Sequence, residues 1–115
     1  MLIGNSSVGK TSIIDRFTDD KFGVAVATTN SNFKSKSVSL NSNNIVTLNI
    51  WDTAGQERYR SISQMFYRKG NVFLIVCDLS CENLCDDVEF WMQSVRNGDP
   101  SPNYKFYLVG SKSDL

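Results

Sequence analysis

The sequence predicts an α/β layered domain on a mostly parallel sheet with one antiparallel edge hairpin. Short apolar runs alternate with segments of helical period in the order strand, helix, strand pair, helix, strand, helix, strand. The run Val72-Phe73-Leu74-Ile75-Val76-Cys77 is continuously apolar, as expected of a parallel strand covered by helices on both faces. Two strand-like stretches flank the turn composition Asn41-Ser42-Asn43-Asn44, which predicts the hairpin. A length of 115 residues suggests one domain. With 41% hydrophobic and 21% charged residues, the chain has the means for a core, and long disorder is not expected.

Residues 1–4 form a short apolar run, and 4–11 are rich in Gly and Ser. Ile13, Ile14 and Phe17 recur at helical spacing, so a helix is expected over Thr11 to Phe17. Residues 18–32 are polar or small without a period, which reads as a loop. Strands follow at Phe33 to Leu40 and Ile45 to Trp51; in the second, Val46, Leu48 and Ile50 make one face more apolar. A helix is expected over Gln64 to Lys69, then the buried strand. Leu84, Val88, Trp91, Met92 and Val95 form an amphipathic stripe over 82–96. The segment from Gly98 to Asn103, with both prolines, ends that helix, and Tyr104 to Val109 is the last strand.

Composition removes several function classes. Twelve Lys and Arg balance twelve Asp and Glu, which leaves no electrostatic footprint for nucleic acid or an anionic membrane surface. The absence of histidine excludes His-based acid–base chemistry and His-ligated metal. No apolar stretch approaches the roughly 18 residues that span a bilayer, and the N-terminus does not read as a secretory signal. Cys77, Cys81 and Cys85 are odd in number and lack a C-x-x-C spacing, so reduced side chains in an intracellular compartment are expected in place of a disulfide framework or zinc site.

The strongest motif is Gly4-Asn5-Ser6-Ser7-Val8-Gly9-Lys10-Thr11, which fits G-x-x-x-x-G-K-[ST] between an expected strand and an expected helix. Glycines let the chain wrap a phosphate with its N–H groups inward, and the helix start adds its positive dipole end. Lys10 supplies a full charge toward the β- and γ-phosphates, Thr11 a hydroxyl for Mg²⁺, and Ser12 continues the loop into the helix. A second constellation, Trp51-Asp52-Thr53-Ala54-Gly55-Gln56-Glu57, follows an apolar strand. There Asp52 could hold Mg²⁺ through water, Gly55 could offer its N–H to a terminal phosphate, and Gln56 could orient an attacking water. Alone, that run could equally be a strand-to-loop turn; beside the phosphate motif the chemical reading prevails. The third, Gly110-Ser111-Lys112-Ser113-Asp114, places Asp114 where a carboxylate could accept from guanine N1–H and N2–H₂.

Together these residues resemble a Ras-superfamily small GTPase, and specifically the Rab branch. The Rab-like features are the run from Ile50 through Trp51-Asp52-Thr53-Ala54-Gly55-Gln56-Glu57 to Arg58-Tyr59-Arg60-Ser61-Ile62, Phe66-Tyr67-Arg68, and Asp78-Leu79-Ser80. The resemblance covers essentially the whole chain. It implies a P-loop NTPase three-layer fold and a GTP-driven switch in vesicle traffic, with mobile loops near 22–33 and 53–69. It further implies GTP/GDP and Mg²⁺ as ligands, and effector, GAP and exchange-factor proteins as partners. A cytoplasmic location peripheral to endomembranes follows from the same likeness. Phe22 matches an aromatic that packs on the guanine edge. Phe33, Trp51 and Phe66 match the Rab aromatic triad that reads out effectors, with plain packing beside the hairpin as the competing role, evenly so for Phe66.

Four departures from the family pattern stand out. The first-switch run appears as Thr28-Thr29-Asn30-Ser31-Asn32-Phe33, so the Mg²⁺-binding threonine is Thr28 counted back from Phe33, or Thr29 counted forward from Lys10. Ser111 stands where the family has Asn, which should weaken guanine binding about 2- to 12-fold. The chain stops at Leu115, before the family's later strand, helices, base-contacting loop and prenylated cysteine tail, so a partial G domain over 1–115 without a prenylation motif is expected. The first strand likewise begins at Met1, and exposed sheet residues should leave stability marginal.

Overall fold

Apart from the helix expected over Gln64 to Lys69, the described elements follow the order the hydrophobic pattern expects. The computed structural model describes residues 1–20, 32–53, 67–68 and 70–115. In chain order the elements are β1 (Leu2–Ile3), α1 (Lys10–Asp19), β2 (Asn32–Asn41), β3 (Asn44–Asp52), β4 (Val72–Asp78), α2 (Leu84–Asn97) and β5 (Lys105–Ser111). Among the described residues the sheet runs β2-β3-β1-β4-β5. β1 is parallel to both β3 and β4, β4 is parallel to β5, and only β2 is antiparallel to its neighbour. A mostly parallel sheet with one antiparallel edge strand is therefore what forms.

Strand alternation sends the core to two faces. Leu2 and Val76 pack with Val8 and Ile14 of the α1 side, with Ile50, Leu74 and Val109 partly buried beside them. Ile3, Phe73 and Ile75 pack with Tyr67 and with Trp91 and Val95 of α2, with Val88 and Met92 partly buried there. These two clusters make β4 buried on both faces, and they select Trp91 and Val95 from the helical stripe. Tyr67 is a core residue, 1% exposed and edge-on to Phe73 at 5.9 Å, and burial pushes its hydroxyl up to about 12.

Several boundaries differ from expectation for local reasons. Helix α1 runs on through Thr18, whose hydroxyl donates to the Ile14 carbonyl at 2.8 Å. Asp20, in the left-handed region, then closes the helix with its N–H on Arg16 O. Asn83 precedes α2 as its cap position, so that helix starts two residues later than its periodic pattern. The hairpin tightens to a two-residue tip, since Asn41 pairs with Asn44, and the Asn41 side chain accepts from the Asn43 N–H at 3.0 Å. The apolar face of β3 is only partly used. Ile50 packs under α1, whereas Val46 and Leu48 are 38% and 40% exposed because the hairpin extends past the helix. At the hairpin root Lys34 pairs with Asp15 and Asp19 at 2.7 and 2.9 Å, and Lys36 lies 4.6 Å over the Phe17 ring. The helix expected over Gln64 to Lys69 lies outside the described residues apart from 67 and 68. No helix among the described residues is long and apolar enough to cross a membrane.

Candidate functional site

Three segments with candidate chemistry leave the carboxyl ends of parallel strands, where open α/β sheets build their crevice. The 4–12 loop follows β1, Asp52 ends β3, and Ser111 ends β5. Leu2 pairs with Asp52, and Asp78 with Ser111, so strand register alone brings residues up to a hundred positions apart onto one rim.

The loop owes its path to two glycines. Gly4 has φ 145°, and a Cβ there would lie 2.2 Å from the Val76 carbonyl oxygen, so only glycine can pass this close to β4. Gly9 has φ 104°, but a Cβ there would make only an ordinary contact, with the Ser111 Cβ at 4.0 Å; its requirement is conformational. Ser7 between them also has a positive φ, 63°. Val8 points inward and pins the loop to the α1-side cluster. Gly9 is the cap position of α1, whose start carries no side-chain cap, which leaves that helix end open to an anion.

Lys10 is buried, 5% exposed, and its Nζ donates to Gly4 O at 3.0 Å and Asn5 O at 2.6 Å. Burial pulls the ammonium down to about 8, partly offset by the Asp52 carboxylate. The Thr11 hydroxyl donates to Asp52 Oδ2, while Asp52 Oδ1 is buried with no hydrogen-bond partner among the described residues. Burial pushes the Asp52 carboxyl up, against the pull of Thr11 and Lys10. A buried, half-satisfied carboxylate is costly unless a cation completes it. One carboxylate and one hydroxyl are hard oxygen donors, which fits Mg²⁺ with its other positions filled by water and phosphate oxygens.

Around β5 the structure departs from a plain base-reading loop. The Ser111 hydroxyl lies 2.6 Å from Val8 O and 3.1 Å from Cys77 O, so its single proton is engaged by carbonyls of the phosphate loop and β4. Lys112, at φ 57°, pairs with Asp78 at 2.8 Å. That ammonium, followed by the Ser80 hydroxyl and N–H, holds the Asp78 carboxyl at about 2. Asp114 is exposed just beyond.

The structure thus brings together Gly4, Asn5, Ser6, Ser7, Val8, Gly9, Lys10, Thr11, Ser12, Asp52 and Ser111, with Lys112 adjacent through Asp78. Phe22, Thr28, Thr29, Gly55, Gln56 and Phe66 lie outside the described residues. On the other face of the hairpin Phe33 and Trp51 are directly cross-strand, with ring centroids 4.8 Å apart and Phe33 49% exposed. All three cysteines are free. Two contributors escaped the sequence reading. Thr53, 1% exposed, donates through Oγ1 to Leu2 O at 3.1 Å and so fixes the end of β3 beside β1; a hydroxyl residue directly after the strand was its only signal. Trp91, read as core alone, also donates its indole N–H to Asn5 Oδ1 at 2.9 Å, which no periodicity reveals.

A three-layer sheet with this loop and carboxylate at its strand ends is the architecture of a Ras-like P-loop GTPase. The family model described as the Ras family matches residues 1–115, and the chain belongs to that family. Relatives it matches include Rab and Ypt proteins. It is similar to GTP-binding protein YPT52 of Saccharomyces cerevisiae, 37% identical over 123 residues, covering 100% of this chain and 53% of the relative. It is also similar to the Ras-related protein RABA1c of Arabidopsis thaliana, 39% identical over 116 residues with 53% of that protein covered. The Ras-related protein Rab-3C of Bos taurus is 42% identical over 116 residues, with 50% covered. Each alignment takes in the whole of this chain, which spans about half the length of these curated relatives.

Proposed function

We propose that the chain is a Rab-like small GTPase domain that binds GTP and GDP with Mg²⁺ and hydrolyses GTP as a switch in vesicle traffic. The observation that carries this is the meeting of buried Lys10 with the Thr11–Asp52 pair and its unpartnered oxygen at the strand ends. In this reading the loop N–H groups and Lys10 hold the β- and γ-phosphates, and Thr11 and Asp52 hold the metal, joined by Thr28. Bound Mg²⁺ would neutralise charge on the phosphate oxygens. Gly55 senses the terminal phosphate, Gln56 orients the attacking water, and Asp114 reads guanine with Phe22 against its edge. No arginine lies in the phosphate loop, so turnover is slow, on the order of 10⁻⁴–10⁻³ s⁻¹, until a partner supplies one. The partners are effectors reading Phe33, Trp51 and Phe66, together with a GAP and an exchange factor, at the cytoplasmic face of endomembranes.

A second reading is a Rab-like interaction module that presents Phe33 and Trp51 without holding nucleotide well. The engagement of the Ser111 proton by Val8 O and Cys77 O favours it, because that proton is then withheld from a base. Titration with fluorescent GDP in Mg²⁺ separates the two. Micromolar or tighter binding that is lost in Lys10→Ala supports the GTPase; no saturable binding supports the module.

A further inference from the structure

The phosphate loop is tied to α2 by a bond that neither the family pattern nor the helical stripe assigns. Trp91 Nε1 donates to Asn5 Oδ1 at 2.9 Å, across 86 positions of sequence. The donor is an anchored group. Trp91 is 4% exposed, packed in the cluster of Ile3, Phe73 and Val95, and set edge-on to Phe90 at 5.1 Å. The acceptor is the residue whose own main-chain carbonyl takes the Lys10 ammonium at 2.6 Å. Asn5 is therefore held at both ends, by α2 through its side chain and by Lys10 through its backbone. On the α2 side of Asn5 close packing does not set the spacing: Asn5, Ser6, Val8, Asp87 and Trp91 help line a cavity of about 150 Å³ over the end of β4. Where atoms do not abut, a directional bond sets the spacing.

A buried indole N–H finds some acceptor in most proteins, so its satisfaction alone signifies packing. What is specific here is that the acceptor belongs to the residue carrying the lysine's carbonyl, immediately after the tight passage at Gly4. We infer that Trp91 is a positioning residue for the phosphate loop, its indole N–H fixing Asn5 so that the Asn5 carbonyl stays on the Lys10 ammonium. The inference rests on the phosphate-site reading given above. Holding the loop in place before the ligand arrives removes part of the ordering cost of binding, so loss of the bond weakens nucleotide affinity. It also makes α2 a lever, because a partner that tilts the helix shifts Asn5 and through it Lys10.

The test is a double-mutant cycle on GDP dissociation constants, with the Trp91 indole resonance followed by ¹⁵N NMR and assigned through Trp91→Phe. Trp91→Phe and Asn5→Leu should each weaken GDP about fivefold, the worth of one hydrogen bond near 1 kcal/mol. The double variant should again lose about fivefold, where independent effects would multiply to about 25-fold. The Trp91 indole resonance should move on GDP titration, which a merely structural tryptophan would not do; its displacement in Asn5→Leu reports the bond itself. Single variants that bind as wild type does, or a double variant that multiplies, overturn the inference. If Trp91→Phe fails to fold, Asn5→Leu decides: weakened GDP with a displaced indole resonance supports the link, and unchanged affinity refutes it. If the wild type itself shows no saturable GDP binding, the phosphate-site reading fails and takes this inference with it; binding wild type with indifferent variants sinks the inference alone.

Discussion

Alanine at Gly4 and alanine at Gly9 are the same chemical change in the same loop, yet the structure assigns them different costs. Both glycines lie in the region that favours glycine, at φ 145° and 104°, so each alanine carries backbone strain on the order of 1–3 kcal/mol. At Gly9 the added methyl meets nothing closer than 4.0 Å, and strain is the whole effect. At Gly4 it would sit 2.2 Å from Val76 O and 3.3 Å from Val8 Cγ2. Val76 lies in β4, which pairs on both sides, so the loop must lift, at an added cost of about 1–3 kcal/mol. Gly4→Ala should therefore cost about 2–6 kcal/mol, a large part of the roughly 5–15 kcal/mol that holds a typical domain. Urea denaturation followed by circular dichroism, with both variants fitted for midpoint and slope, measures the difference. A Gly9→Ala variant as unstable as Gly4→Ala, or more so, would refute the close-approach argument.

Two further outcomes follow from the site. The Lys10 ammonium has a folded value of about 8 against 10.5 unfolded, so between those limits the unfolded chain binds more protons and stability rises with pH. Without nucleotide, wild type should therefore gain on Lys10→Met as pH climbs from about 8 to 10.5, a trend visible in urea midpoints and absent if Lys10 is solvated. Ser111→Asn, on the proposed function, should tighten GDP about 2- to 12-fold by restoring an amide at the base loop; competition with a fluorescent analogue reads this, and unchanged affinity would show that Ser111 lies off the nucleotide.

The parts of the site that depend on local backbone demands were legible in the sequence. A strand, two glycines at fixed spacing and a lysine at a helix start can hardly be satisfied by another local structure, and Asp52 announced itself by closing an apolar strand. What escaped depends on contacts between distant segments. Ser111 reads in the sequence as a weakened contact to the base; that its hydroxyl also ties the phosphate loop to the end of β4 does not show there. Trp91 fitted its helical stripe so well that its indole nitrogen went unread. The shared face of Val46, Leu48 and Ile50 was legible, but how much of it is covered was not: alternation tells which residues share a face, not how far the covering helix reaches.

The chemistry of this molecule hangs from strand termini locked by hydrogen-bonded register, so the segments between them are free to change length. Between Lys10 and Phe33 the chain is one residue shorter than its likeness to the Rab pattern leads one to count, yet Asn32 still pairs with Asp52 and Phe33 with Trp51. A scaffold of this kind tolerates insertion and deletion as drift in its connecting spans, while the reacting groups keep their mutual places.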